Sequence, residues 1–283
     1  MDEKGLGKRL QAARRAAGFT QQDLCSKANL SYSTLAKIER GAIKAPSIFT
    51  IQSIASALNI TLDELVGSGE ASGSTSVKSV SRSGVRFVYF DLNGCLVRAA
   101  VTKAAAALAN DSGSTLDVVE SIYWQYDAGV CRGDQSIDEL NTALAERLSV
   151  MVDWNKYYLA AVEATPGMAE IVSWAASQYY IGIISNTLPG LLPAMLKNGT
   201  LPAVHYDAII DSSEVHMVKP EPQMFELALS KSGVAAQEIL LIDDDRLNLS
   251  AAGRLGWRTM SFDAYRAEES IAAIRAALEP AVE

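Results

Sequence analysis

Apolar residues recur at helical spacing through the first 68 positions, and from Val85 onward short apolar runs alternate with longer helical patterns. Leu6, Leu10, Ala13 and Ala17 form one stripe, closed by Gly18. Thr20 then caps a short helix holding Leu24, Cys25 and Ala28, with Asp23 placed to return the capping bond. Ser31 opens a third helix carrying Leu35 and Ile38, which stops at Gly41, and Pro46 with Ser47 introduces a fourth with Ile51, Ile54, Ala55 and Leu58 inward. Thr61 caps a last turn with Leu62 and Leu65. Five short helices of this kind bury one small core, and Cys25 reads as an alanine-sized part of it.

In the later region VRFVYFD, YYIGIISN, AVHYDAII, EILLIDDD and WRTMSF read as strands, and the helical patterns between them predict a parallel sheet covered by helices. Residues 99–163, between the first two strands, read as mainly helical, with Val118, Val119 and Ile122 in one segment and Ile137, Leu140, Leu144 and Leu148 in another. The fold class is therefore α/β with an all-helical N-terminal domain: a head over residues 1–68, a Gly- and Ser-rich linker over 69–84, and an α/β domain over 85–283. Val77 and Val80 give the linker two residues that can dock on either side.

Charge sharpens this division. Residues 1–68 carry nine Lys and Arg against six Asp and Glu, while the rest carries sixteen against twenty-seven, so the head is about +3 and the body −11. A polyanion is drawn to the first and repelled by the second. Three separated cysteines, Cys25, Cys95 and Cys131, show no metal-ligand spacing, and the sequence has no signal peptide or membrane-spanning run. A cytoplasmic protein without membrane contact is expected.

The head, through TQQDLCSKANLSYSTLAKIERGAIKAPS, resembles the Cro/phage-repressor (Xre-type) helix-turn-helix family over residues 6–66. The resemblance makes the helix from Ser31 to Arg40 the recognition helix, whose exposed N-terminal side chains meet base edges in the major groove of double-stranded DNA. Tyr32, Ser33, Thr34 and Lys37 lie off the apolar stripe and are the base-edge candidates. Gln21 is placed to reach phosphate and brace that helix, and Lys44 with the Lys8/Arg9 pair are candidates for phosphate contact. Glu39 and Arg40 read as a structural pair. Heads of this size gain affinity by pairing, so a homodimer is expected.

In the body, polar residues stand at strand ends: Asp91, Ser185 with Asn186, Lys219 after a loop, and Asp243 with Asp244. Open α/β sheets bind ligands at that edge. A carboxylate beside a cation can attack phosphorus, a hydroxyl and backbone N–H can hold the equatorial oxygens, and a lysine can balance charge. The further carboxylates complete an oxygen-rich site suited to magnesium.

These residues, set in FDLNGCLV, IISNT, SSEVHMVKPEPQMF and LLIDDDRLNLSAAGRLG, resemble the haloacid dehalogenase (HAD) superfamily, with separations of 94, 34 and 24 residues along the chain. The resemblance implies a Rossmann-like core with a small helical cap at about 99–163, and a small phosphorylated metabolite as ligand. It makes Asp91 nucleophile and metal ligand, and Ser185 and Lys219 its catalytic partners. Ser185, Asn186 and Lys219 become phosphate binders; Asp244, its neighbour Asp243 and the Asn93 backbone carbonyl become metal ligands. Asp245 takes only an outer role. The cap segment CRGDQSIDEL is similar to that of sugar-phosphate phosphatases, and Trp124, Tyr126 and Trp154 either line a pocket there or fill the cap core. His205 and His216 receive no catalytic assignment. The superfamily's phosphatases place an acid–base aspartate where this chain has Asn93. Two readings result: a DNA-binding regulator whose HAD-like domain binds magnesium and a phosphorylated ligand with slow or no turnover, or a magnesium-dependent small-molecule phosphatase.

Overall fold

The computed structural model describes residues 6–28, 30–43, 46–58, 60, 65 and 78–281. The chain forms two compact units, residues 1–76 and 77–283.

In the first unit four helices follow the apolar stripes: α1 (Leu6–Ala16), α2 (Gln21–Ala28), α3 (Tyr32–Glu39) and α4 (Ile48–Leu58). Their core joins Leu10, Leu24, Leu35, Ile38, Ile54 and Leu65, with Cys25 and Ala28 filling small gaps. The reciprocal cap between Thr20 and Asp23 forms as the sequence predicts, and Ser31 caps α3 through Thr34 N. Ala17 is exposed, so the first stripe ends one turn early. The cap at Thr61, Leu62 and Lys44 lie outside the described residues. Gly7 is buried where a Cβ would stand 2.5 Å from the Ile38 carbonyl, so only glycine lets α1 lie against the end of α3.

The second unit holds β1 (Phe87–Phe90), β2 (Tyr180–Ser185), β3 (Ala208–Asp211), β4 (Ile239–Asp243) and β5 (Arg258–Ser261), all parallel in the order β3-β2-β1-β4-β5. Successive residues of β1 face opposite layers: Val88 and Phe90 join one core, Phe87 and Tyr89 the other. Both faces are buried, which is why the strands read as apolar runs. Between β1 and β2 stand α5 (Val101–Ser112), α6 (Leu116–Arg132), α7 (Ile137–Leu148), α8 (Trp154–Ala161) and α9 (Met168–Gln178). The first four form the cap, with Val119, Leu140, Leu144 and Trp154 at its centre. The sheet is completed by α10 (Leu191–Asn198), α11 (Ser212–Val215), α12 (Pro222–Ser232), α13 (Arg246–Arg254) and α14 (Ala267–Ala277).

Two boundaries move by more than two residues. The third strand starts at Ala208 rather than Ala203, because this edge strand pairs only with β2, and Asp207 meets Ile181 by a backbone bond and its own carboxylate. The linker's end belongs to the body: Ser79 N donates to Gln178 O at 2.7 Å, and residues 80–82 pair with Glu279 and Ala281.

Candidate functional site

The loop carrying Asp91 begins where β1 ends. Asp91, 5% exposed, donates its N–H to Ile242 O, and the chain then turns back through Gly94 at φ +84°. A Cβ on Gly94 would lie 2.1 Å from Asp244 Oδ2, so this glycine clears the space Asp244 occupies. Gly94 stands three residues after Asp91 in the FDLNGCLV stretch. Oxygens of Asp91, Asp243 and Asp244 lie within 4.8 Å of one another.

Lys219 Nζ donates to Asp91 Oδ1 at 2.5 Å and Asp243 Oδ2 at 2.6 Å, with all three groups buried. Burial works against the lysine charge, but Asp91 and Asp243 outweigh it and raise its pKa. Burial also raises the Asp91 pKa, with Lys219 opposing and Asp243 adding to the rise, and burial raises that of Asp244. Three carboxylates thus face one ammonium, an imbalance that a divalent cation relieves with oxygen ligands alone.

The remaining residues divide between contact and support. Ser185 ends β2, fully buried, its Oγ 3.3 Å from Asn186 O. Asn186 clasps the lysine loop: its Nδ2 donates to Lys219 O and its Oδ1 accepts from Lys219 N, each at 2.8 Å. Its side chain is therefore committed to placing Lys219. Asp245 caps α13 by accepting from Leu247 N at 2.7 Å. Sequence reasoning missed Asn248, whose Nδ2 donates to both oxygens of Asp243. It also missed Tyr158, whose hydroxyl donates to Asn93 Oδ1, while Asn93 Nδ2 donates to Asn186 O at 3.4 Å.

Beside this loop a cavity of about 250 Å³ opens between cap and core. Trp124 lines it, whereas Trp154 is fully buried in the cap and Tyr126 lies half-buried away from it. His205 lies near Asp207 and His216 near Arg132 O, neither at the site.

In the head, Tyr32, Ser33 and Lys37 are exposed on α3 and Thr34 is half-buried. Gln21 braces α3 by donating to Glu39 Oε2 at 2.7 Å. The partner of Glu39 is Arg14 at 2.7 Å, not Arg40, which turns back to Ala36 O because it lies beyond the helix end on the exposed side. Arg9 Nε donates to Leu65 O, while Lys8 is exposed. A groove runs from the end of α1 to Tyr32 and adds Arg15 and Gln22 to the polar surface there.

Residues 85–256 match the family model for haloacid dehalogenase-like hydrolases, and residues 10–65 match that for helix-turn-helix domains. The chain belongs to the haloacid dehalogenase-like hydrolase family and carries a helix-turn-helix domain ahead of the hydrolase-like one. Phosphoglycolate phosphatase of Yersinia pseudotuberculosis serotype I (strain IP32953) is 27% identical over 191 residues, 61% of this chain and 78% of that protein. The immunity repressor protein of Bacillus phage phi105 is 44% identical over 62 residues, 22% of this chain and 42% of the repressor. The chain thus spans less than half the length of the repressor, as it does of the (S)-2-haloacid dehalogenase 4A of Burkholderia cepacia. A HAD family enzyme from Bacteroides thetaiotaomicron, solved as an aspartate-to-alanine mutant with magnesium and inorganic phosphate, shares the fold at a TM-score of 0.54. It is 19% identical, over 64% of this chain and 95% of that one. No helix among the described residues is long and apolar enough to cross a membrane.

Proposed function

We propose that the chain is a DNA-binding transcriptional regulator whose HAD-like domain binds magnesium and a small phosphorylated ligand and turns it over slowly or not at all. The observation that carries this reading is Asn93: the nucleophile, lysine and acidic loop stand intact around a position whose side chain is an amide held by Tyr158. An amide cannot exchange a proton near neutral pH. Asp91, Asp244 and the Asn93 backbone carbonyl would hold magnesium, with Asp243 beside them, and the ion would neutralise phosphate charge. Ser185 and Lys219 would hold the phosphoryl oxygens. The all-oxygen donor set and the space cleared by Gly94 support that fit. Gly94→Ala is expected to weaken magnesium binding by at least about tenfold in calorimetric titration, as loss of a metal site's support commonly does; unchanged affinity would place the ion elsewhere.

The head reads duplex DNA as a two-fold dimer, with half-sites about one helical turn, roughly 34 Å, apart. Lys44→Ala should weaken binding to all duplexes and flatten its salt dependence, while Ser33→Ala or Thr34→Ala should mainly relax sequence preference. Selection from random duplexes, with the mass of the complex measured, tests this; a monomeric complex or no preferred sequence would overturn it. The second reading, a phosphatase acting through an aspartyl-phosphate, is favoured by the direct contact of Lys219 with Asp91.

A further inference from the structure

The cavity between cap and core is where the organic part of a ligand would lie if its phosphate end sat at Asp91, Ser185 and Lys219, and its chemistry is lopsided. Among the described residues lining it there is no Lys, Arg or His. The cap supplies Asp127, from α6, two-fold held at Oδ1: the Tyr123 hydroxyl donates to it at 2.6 Å and the Cys131 thiol lies at 3.7 Å. Its Oδ2 accepts no hydrogen bond among the described residues, and no cation pairs with the carboxylate. A partly buried carboxylate left in this state costs free energy that a donor or a cation would recover.

The other polar groups do not supply that donor. The protons of Tyr123 and Tyr158 are committed, to Asp127 and to Asn93. Thr187 is 2% exposed, lines the cavity, and has a buried Oγ1 without a partner. The floor adds the Asp244 carboxylate, and Trp124 offers an apolar face at the mouth. The cavity therefore presents mainly acceptors and apolar wall to whatever enters.

We infer that Asp127 determines ligand specificity, selecting phosphate esters whose organic part bears hydrogen-bond donors, hydroxyl or ammonium, and rejecting esters that carry a carboxylate. A hydroxyl or ammonium group satisfies Asp127 Oδ2. A carboxylate in the same place meets the Asp127 carboxylate with no Lys, Arg or His on the cavity wall to offset it, and like charges brought together out of water are strongly disfavoured. The inference rests on the reading of Asp91, Ser185 and Lys219 as a phosphate site.

The test is calorimetric titration of the full chain, loaded with magnesium, with four probes: inorganic phosphate, glycerol 3-phosphate, 2-aminoethyl phosphate and 2-phosphoglycolate. Each dissociation constant is taken relative to that of inorganic phosphate in the same protein, so the phosphate end cancels. In the wild type the glycerol or aminoethyl ester, or both, should bind at least about tenfold more tightly than phosphoglycolate. A preference for the glycerol ester alone assigns the donor as hydroxyl, for the aminoethyl ester alone as ammonium. Asp127→Asn should erase most of the preference by admitting phosphoglycolate. Tightest binding of phosphoglycolate by the wild type would overturn the inference without any variant, as would a preference that survives Asp127→Asn. Failure of all four probes, inorganic phosphate included, would remove the phosphate-site reading and this inference with it.

Discussion

Asn93→Asp is expected to raise single-turnover hydrolysis of a bound phosphate ester by at least about tenfold, toward the 10²–10⁴-fold that general acid–base help typically supplies. The introduced carboxyl has nearly the shape of the amide, and the Tyr158 hydroxyl can go on donating to it. What changes is the edge now occupied by Nδ2, which faces Asn186 O at 3.4 Å. A carboxylate oxygen there repels the carbonyl, whereas a protonated one can donate, so the environment favours the acid form that a departing alkoxide needs. Asp91→Asn is the matching control. It removes the carboxylate proposed as nucleophile, so turnover and any aspartyl-phosphate should vanish while operator binding by the separate head persists. The measurement is hydrolysis in isotope-labelled water with mass detection of the phosphorylated protein. Rapid hydrolysis by the wild type, with no gain on Asn93→Asp, would replace the slow-turnover reading with the phosphatase one.

The contrast between Asn93 and its neighbours also marks where sequence reasoning stops. Asp91, Ser185 and Asp243 could be placed because each ends an apolar run, and parallel strands deliver their C-terminal ends to one edge whatever lies between. Lys219 needed the spacing of its motif, since it stands on a loop. The supporting residues had no such marker. Asn186 looked like a phosphate donor because it follows Ser185, and only the fold shows its amide spent on the Lys219 backbone, 33 residues away. Tyr158 meets Asn93 from 65 residues off, and reading residues 99–163 as mainly helical does not say which polar side chain looks down into the site. The same limit applies to Asp127 and to the mispaired Glu39, whose partner lies 25 positions back on another helix rather than next door. Periodicity finds elements and faces; pairings between faces are set by how the elements pack.

That Glu39 pairing carries the second large effect, on the stability of the head. Arg14 grips Glu39 through Nε at 2.7 Å and Nη2 at 3.2 Å, and its Nη1 donates to Phe19 O at 2.8 Å, so one guanidinium ties α1, the following turn and the end of α3. Glu39 sits at the C-terminal end of α3, where the helix dipole disfavours a negative charge. Its side chain is 1% exposed. Burial raises its pKa, but the bonds from Arg14 and Gln21 outweigh burial and hold it below the ordinary 4.5. A lowered carboxyl pKa contributes stability that is present above the unfolded value and lost as pH falls through the folded one, so the head should loosen only in acid below about pH 4.5. Arg14→Ala leaves the carboxylate buried with one amide donor, a change that typically costs about 3–5 kcal/mol. At roughly 0.05–0.15 kcal/mol per residue, a domain of this size has about 3–10 kcal/mol in all, so the loss is a large fraction of it. The variant should therefore show an early thermal transition for the head, with the body's transition unmoved, and should lose operator binding. Arg14→Met combined with Glu39→Leu removes both charges and should recover most of the lost melting temperature, because a buried pair can be exchanged for apolar packing even where half of it cannot be deleted. If Arg14→Ala melted like the wild type, the ion pair would not be what holds the recognition helix, and the double variant would then be expected to be less stable than either parent.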